Sequence, residues 1–246
     1  MEKRSFDLTS RSLHIFAMLF MLLDHMWATV FTNQQWMTQV GRIAFPIFAF
    51  MTVEGFVHTS NFKKYMSRLF VFALITEIPF NLMVSGRLYN PYHQNVLWTF
   101  IIGLSLVYIN ECARKKGKWW LIILTVLGTS LLGYVIGMIT FVDYNGAGVL
   151  TVLAFYFFRG RKWWNYLLQL AAMYYINVEM LQGLCFEVEI FGHSIEIVQQ
   201  GLAMLSLAFI WLYKGRRGKK TKAFQYFCYA FYPAHMLILW FIMTYA

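Results

Sequence analysis

Long apolar runs recur along the whole chain, and they restrict the fold more than any other feature. A transmembrane helix needs about 20 mostly apolar residues to cross about 30 Å of hydrocarbon, and only structures that bond their own backbone can do so. The sequence therefore predicts an all-α, polytopic integral membrane protein with about nine transmembrane helices in one domain, residues 1–246. The predicted spans are 13–31, 40–58, 65–84, 95–112, 119–141, a short sixth at 146–158, 163–181, 195–213 and 224–245.

Clusters of Lys and Arg stand before the first run and after every second run. Such an excess of positive charge marks cytoplasmic connections, so the alternation places the N-terminus in the cytoplasm and the C-terminus outside. The connection at 182–194 has no Lys or Arg, as expected of an external loop. The clusters are Lys3, Arg4 and Arg11; Lys63, Lys64 and Arg68; Arg114 to Lys118; Arg159 to Lys162; and Lys214 to Lys222.

The composition is that of a membrane protein, and it indicates which partners to expect. The chain is 59% hydrophobic and only 13% charged, and a soluble domain rarely has this balance. Its net charge of +10 would suggest nucleic acid as a partner in a soluble protein. Because the charges sit between apolar runs, they are read as orientation signals. The expected partner is the lipid bilayer of a cytoplasmic (inner) membrane, and no nucleic acid is expected.

Ionisable side chains inside the apolar runs are the candidate site. Each costs at least a few kcal/mol in a bilayer, so such residues usually mark chemistry, proton transfer or a polar network. Asp24 and His25 lie about 10 Å below the predicted external surface, given a rise of about 1.5 Å per residue. Glu77 lies at a similar depth, His235 lies nearer the midplane, and the long side chain of Arg42 reaches inward from the edge.

Further polar residues extend this set, and a metal is not expected. Asn81 shares a helix face with Glu77, four residues away, whereas Glu54 lies toward the cytoplasmic end of its span. His25, His93 and His235 lack a close metal-binding spacing such as HExxH, and the three cysteines are far apart.

Several segments resemble the TraX family of conjugal-transfer membrane proteins. The most specific is GRIAFPIFAFMTVEGFVHTSNFKKYMSRLFVFALITEIPFN, from Gly41 to Asn81, and the resemblance covers nearly the whole chain. In place of an expected tyrosine–glycine step, Asn145 separates Tyr144 from Gly146. The other matching segments are Asp24-His25, Asn95 to Thr99 with Gly103, Asp143-Tyr144 with Gly146 and Gly148, and Tyr232 to His235.

The resemblance implies an activity. TraX proteins are associated with N-terminal acetylation of pilin and look related to membrane acyltransferases that use cytoplasmic acetyl-CoA. We therefore expect acetyl-CoA as donor, no metal, and an acceptor on the outer side: a pilin-like protein, a glycan or a lipid-linked sugar.

The same resemblance suggests roles for residues. His25, made more basic by Asp24 or Glu77, would deprotonate the acceptor or carry the acetyl group, and His235 would be a second acid or base. Arg42, Asn95 or Tyr144 would stabilise an oxyanion, and Glu54, Asn81 and Asp143 complete the expected substrate-binding set. The cytoplasmic Lys63, Lys64 and Arg68 would hold the phosphates of coenzyme A.

Two other readings remain open from sequence. A proton-coupled transporter would use the same intramembrane carboxylates and histidines as a relay, although no inverted repeat is visible. A third hypothesis is a scaffold that has kept the family's fold without catalytic activity.

Overall fold

The computed structural model describes residues 7–190, 193–218 and 221–245. Lys3, Arg4, Lys219 and Lys220, which belong to the predicted orientation signals, lie outside them. The α-helices of this part are α1 Ser10–Thr29, α2 Gln35–Gly41, α3 Ala44–His58, α4 Phe62–Ser85, α5 Val96–Lys115, α6 Trp119–Ile139, α7 Asn145–Phe157, α8 Trp163–Tyr174, α9 Ser206–Leu212 and α10 Lys222–Tyr245. A π-helix, Tyr175–Met180, a 3-10 helix, Gln199–Leu205, and two strands, β1 Cys185–Ile190 and β2 His193–Val198, complete it.

Local signals in the sequence set the ends of several helices. The Thr9 hydroxyl accepts a hydrogen bond from the Ser12 amide (3.2 Å) and starts α1. Asn61 caps α4 by accepting from the Lys64 amide at 2.9 Å. Gly86 ends α4 with a φ of +67°, which glycine adopts without steric cost. These caps satisfy backbone groups that a helix leaves unpaired at its ends.

Six helices in the described residues are long and apolar enough to cross a membrane. They are Ser10–Thr29, Gln35–His58 (α2 and α3 taken together), Phe62–Ser85, Val96–Lys115, Trp119–Ile139 and Lys222–Tyr245, and they match the first five predicted spans and the ninth. Large apolar side chains such as Leu127 and Leu131 of α6 point outward, as a lipid-facing surface requires. The chain is therefore a multi-pass, mostly helical membrane protein.

The predicted sixth, seventh and eighth spans differ from the structure. Helix α7 has 13 residues, about 20 Å, which is less than the hydrocarbon thickness. The seventh run is α8 followed by the π-helix. The eighth is wrong at its start, where residues up to Val198 form β2, followed by a 3-10 helix and α9. Nine crossings and the orientation thus stay predictions.

A β-hairpin lies where the sequence predicted an external loop, and it is the one sheet in the described part of a mostly helical fold. Strand β1 pairs antiparallel with β2, with Cys185 opposite Val198 and Glu187 opposite Glu196. Apolar and polar residues alternate in both strands, a period of two that fits a strand and not a helix. The apolar run from 195 hid this pattern because Ile195 and Ile197 were counted with the helix that follows.

The chain divides into two compact units. Unit 1 is Met1–Met51 with Asn177–Ala246, within the limits of the described residues, and unit 2 is Thr52–Ile176. In unit 1, α1 packs against α2 and α10, and α2 contacts the 3-10 helix. In unit 2, α5, α6 and α7 pack against one another, α4 packs on α5, and α8 packs on α7. A single domain over residues 1–246 stays a prediction.

Candidate functional site

Two histidines from opposite ends of the chain pair in unit 1. His25 of α1 and His235 of α10 are joined by a hydrogen bond of 2.7 Å between Nδ1 of His25 and Nε2 of His235. Their rings are stacked, with centroids 4.9 Å apart and planes 13° apart. His235 is buried, with 5% of its surface exposed. The sequence had singled out both residues but not their direct pairing.

The hydrogen bonds of the pair define its proton arrangement. Nδ1 of His235 lies 2.7 Å from the Phe231 carbonyl, which only accepts, so this nitrogen carries the proton. In the neutral ring Nε2 of His235 then accepts, and Nδ1 of His25 donates to it. The proton of a neutral His25 is thereby on Nδ1, and Nε2 is its basic nitrogen.

The carboxylate of Asp24 is held by Arg42 and Thr38. Its Oδ1 accepts from Nη2 of Arg42 at 2.5 Å and from the Thr38 hydroxyl at 2.8 Å. The side chains of Arg42 and Asp24 are 21% and 19% exposed. Arg42 also donates to the Thr38 hydroxyl and carbonyl. Arg42 therefore ties α1 to the end of α2, and its guanidinium fixes the residue next to His25.

A glycine makes this contact close. The Cα of Gly41 faces Asp24, and an added Cβ would overlap the side chain and backbone of Asp24. No larger residue fits there without moving α2 away from α1. The glycine of the Gly41-Arg42 pair thus allows the contact that the arginine then fixes.

Amide side chains continue this polar network. Gln200 accepts from Nη1 of Arg42 at 3.4 Å and donates to Asn177 at 3.0 Å, and Gln199 donates to the Thr38 hydroxyl at 3.2 Å. Asn177 lies in the π-helix, an irregularity that occurs often at functional sites. Buried amides need partners, and here they are paired.

Unit 2 has a carboxylate cluster of its own, formed by Glu77, Asn95 and Trp98. Oε2 of Glu77 accepts from the Asn95 amide and from Nε1 of Trp98 (3.0 Å). Asn95 is fully buried, caps α5 through the Leu97 amide, and donates to the Ala73 carbonyl at 3.0 Å. Asn95 therefore joins α4 to α5 at the level of Glu77.

Asp143 pairs with a histidine that lies outside the membrane-spanning helices. Nε2 of His93 is 3.5 Å from Oδ1 of Asp143, and the ring stands edge-on to Phe80. The hydrogen bond to Asp143 raises the pKa of His93 above its ordinary value of 6.5, against a smaller opposing effect of burial. Tyr144 follows with a φ of +59°, a left-handed conformation that costs about 1 kcal/mol or more for a residue with a side chain.

The remaining predicted residues fall into different settings. Glu54 accepts from Nε of Arg159 at 2.7 Å, which makes it an ion-pair partner in unit 2. Asn81 is buried and donates to the Leu88 carbonyl at 3.4 Å. Lys63, Lys64 and Arg68 are exposed on the first two turns of α4. Among the described residues, no group of three or more His, Cys, Asp or Glu side chains is arranged to hold a metal ion.

The comparison with known families decides the identity. The family model described as "TraX protein" matches residues 10–243, nearly the full length. The chain belongs to the TraX family. This TraX protein is also similar to the probable fimbrial assembly protein FimC, serogroup H1, of Dichelobacter nodosus, with 26% identity over 248 residues that cover 96% of each chain. No solved structure matches it.

The sequence analysis did not predict several residues that take part in the polar clusters of units 1 and 2. Thr38, Asn177, Gln199 and Gln200 complete the polar network of unit 1, and Glu111 and Tyr156 form a bonded pair in unit 2. Asn177 and the two consecutive glutamines border or interrupt apolar runs, which is a usable signal. Thr38 gives no such signal, because an uncharged threonine within a helix is ordinary in sequence, and only the structure shows its bond to Asp24.

Proposed function

We propose that this TraX protein is a membrane acetyltransferase, which moves an acetyl group from cytoplasmic acetyl-CoA to an amine or hydroxyl at the outer side of the membrane. One observation carries the proposal. Two successive hydrogen bonds, from His235 to the Phe231 carbonyl and from His25 to His235, make Nε2 of His25 the basic nitrogen. A neutral imidazole oriented by a second residue is the usual form of a general base.

The proposed reaction balances with His25 as base. Nε2 of His25 takes the proton of the acceptor amine or hydroxyl while the acceptor forms a bond to the thioester carbonyl carbon. The carbon–sulfur bond breaks, and the coenzyme A thiolate leaves with that proton as the free thiol. The products are the acetylated acceptor and coenzyme A, and no oxidant or metal is needed.

The other residues of unit 1 support His25 in this proposal. His235 is a positioning residue, because it acts through His25. Arg42, which the sequence suggested as an oxyanion donor, is assigned a positioning role, since its donors reach Asp24, Thr38 and Gln200. Asp24 is bonded to this arginine, so we assign the orientation of His25 to His235 and not to the carboxylate.

The acceptor is proposed from the similar protein. The Dichelobacter nodosus protein is named as a probable fimbrial assembly protein, and we extend that process to this chain. The acceptor is then the N-terminal amine of a pilin-like protein at the outer face of the cytoplasmic membrane. Glycans and lipid-linked sugars are the alternatives that an acceptor screen separates.

Acetyl transfer in liposomes tests the proposal. Purified full-length protein is reconstituted, supplied with radiolabelled acetyl-CoA, and assayed for coenzyme A release and acetylated product with peptide amines and sugars as acceptors. We expect turnover by the wild type and a loss of about 100-fold or more in His25→Gln, the size expected for a general base. His14→Gln is the matched control, since His14 lies in the same helix about 16 Å earlier. Turnover unchanged in His25→Gln would overturn the assignment.

Proton-coupled transport is the second candidate, favoured by the same histidine pair. A 2.7 Å hydrogen bond between two imidazoles can pass a proton from one ring to the other. Folded wild-type protein that neither binds nor turns over acetyl-CoA, yet acidifies liposomes along a proton gradient in a His25-dependent way, would support transport against acetyl transfer.

A further inference from the structure

Unit 2 contains a cavity that neither the sequence analysis nor the histidine pair explains. It measures about 790 Å³, within the range of about 300–1,000 Å³ usual for small-molecule sites. It is bounded by the end of α3, the start of α4, the C-terminal half of α5, the N-terminal half of α6 and the end of α7. The positive-inside pattern predicts that all these helix ends lie on the cytoplasmic side.

Three cations line the cavity beside half-buried carboxylates. Glu111 accepts from Nε and Nη2 of Arg114 at 2.9 and 2.7 Å and from the Tyr156 hydroxyl at 2.7 Å. Arg159 uses its Nε for Glu54, and Lys115 also lines the wall. The carboxylates hold both guanidiniums in place and engage only part of their five N–H donors. The remaining donors suit phosphate oxygens.

An aromatic pair stands on the same cavity wall. The rings of Phe62 and Tyr108 are stacked, with centroids 4.6 Å apart and planes 6° apart, and both line the cavity. Tyr108 is 46% exposed, so part of its ring surface is open. Exposed aromatic rings bind nucleic-acid bases by stacking, without need for a specific base edge.

We infer that this cavity binds the phosphorylated nucleotide end of the acyl donor, with the base against Tyr108 and the phosphates at Arg114, Lys115 and Arg159. The inference rests on the proposed function for its choice of nucleotide, and it moves the phosphate site from the exposed Lys63, Lys64 and Arg68 to the cavity wall. Phe62, which lines the cavity, directly precedes Lys63 and Lys64 in the sequence, whereas neither lysine nor Arg68 lines it.

Nucleotide binding without acetyl transfer tests the site directly. Adenosine 3′,5′-bisphosphate is titrated by calorimetry into full-length protein in nanodiscs of phosphatidylcholine. We expect binding that weakens at least tenfold in Tyr108→Ala and severalfold in Lys115→Gln, while Tyr108→Phe keeps the wild-type affinity. Lys116→Gln is the matched control, because it removes the same charge one residue away and Lys116 does not line the cavity.

A second pair of variants guards against misfolding and charge effects. Arg159→Gln alone leaves Glu54 without its arginine partner, so the double variant Glu54→Gln/Arg159→Gln, which removes both charges, is measured beside it. We expect both to weaken nucleotide binding at least tenfold. Equal weakening in Lys115→Gln and Lys116→Gln, or unchanged affinity in Tyr108→Ala, would overturn the inference.

The experiment also distinguishes a nucleotide phosphate from a lipid headgroup as the ligand, and it tests the cavity assignment separately from the acetyltransferase proposal. Binding of phosphatidylglycerol headgroups in place of the nucleotide, seen as loss of nucleotide binding in anionic nanodiscs, would assign the cavity to lipid and overturn the inference. If acetyl transfer depends on His25 but KM for acetyl-CoA is unchanged by Lys115→Gln and Tyr108→Ala, the acetyltransferase stands and the cavity assignment fails. If the bisphosphate binds as expected and no transfer occurs, the cavity stands and the activity fails.

Discussion

The residue that matters most for the proposed chemistry is defined by another residue 210 positions away in the sequence. Neither His25 nor His235 alone determines which of its ring nitrogens is basic, because a neutral histidine has two tautomers. The Phe231 carbonyl, four residues before His235, removes that choice for His235, and His235 then removes it for His25. A backbone acceptor thus determines which nitrogen of His25 is basic.

Replacing His235 tests this arrangement. His235→Leu removes the acceptor for Nδ1 of His25, and we expect kcat for acetyl transfer to fall at least about tenfold, the rate equivalent of about 1.4 kcal/mol. His235→Gln keeps an acceptor oxygen near the same position and should recover most of kcat. A purely packing role for His235 would predict equal losses in the two variants.

His93 gives a pH-dependent prediction for unit 2. The hydrogen bond to Asp143 raises the folded-state pKa of His93 above the unfolded value of about 6.5. The pair therefore stabilises the fold fully below pH 6.5, and this contribution is lost as pH rises through the folded-state pKa. We expect Asp143→Asn to lower the unfolding temperature more at pH 5.5 than at pH 9, and to return the NMR titration midpoint of His93 toward 6.5. An equal temperature loss at both pH values would contradict the pairing.

Helix packing in unit 2 depends on glycines at chosen positions. A Cβ on Gly103 would meet Val152 at 2.8 Å, and one on Gly133 would meet Leu106 at 2.8 Å. At Gly137 the neighbours are backbone atoms of α7, with the Cα of Gly146 at 2.6 Å. Small residues allow close approach of helices in membrane proteins, where packing replaces the hydrophobic effect.

Two glycines of α6 make a matched pair for testing this. Gly137→Ala pushes against backbone that cannot rotate away, so we expect a loss of about 1–3 kcal/mol. Gly128→Ala meets nothing within 4 Å and should be neutral or stabilise by up to about 1 kcal/mol through helix propensity. Thermal unfolding in the same detergent gives both values, and similar effects of the two substitutions would refute the packing role of Gly137.

At the level of elements, the sequence predicted best where the apolar run was long and uniform. The structure agrees closely with the predicted spans at α1, α4, α5, α6 and α10. A run of about 20 apolar residues in lipid forms a helix because a helix satisfies its own backbone hydrogen bonds. The hairpin was missed because an apolar run of 195–213 mixes a strand of period two with the helices after it. Run length alone does not separate the two periodicities.

At the scale of the molecule, the orientation in the membrane remains a prediction from charge. The alternation of basic clusters places the hairpin outside and the connection between α5 and α6 in the cytoplasm. Lys116, in that connection, and Cys185, in the hairpin, are exposed and therefore report on the two sides.

Cysteine labelling in intact cells measures this orientation. With Cys112 and Cys228 replaced by Ser, Cys185 is the sole remaining thiol. We expect a membrane-impermeant maleimide to label it without permeabilisation. A Lys116→Cys variant lacking all three native cysteines should react only after the cells are opened. The reverse pattern would invert the predicted topology.

The sequence by itself determined that the chain is a multi-pass membrane protein, where most of its long helices lie and to which family it belongs. It could do so because lipid leaves a backbone no partners except its own, so local composition decides those helices. Tertiary structure alone decided that His25 bonds His235, that Arg42 holds Asp24, and that Arg114 and Arg159 line a cavity with Tyr108. Side-chain partners depend on which helices, far apart in the sequence, pack against one another. Local sequence patterns do not specify that packing.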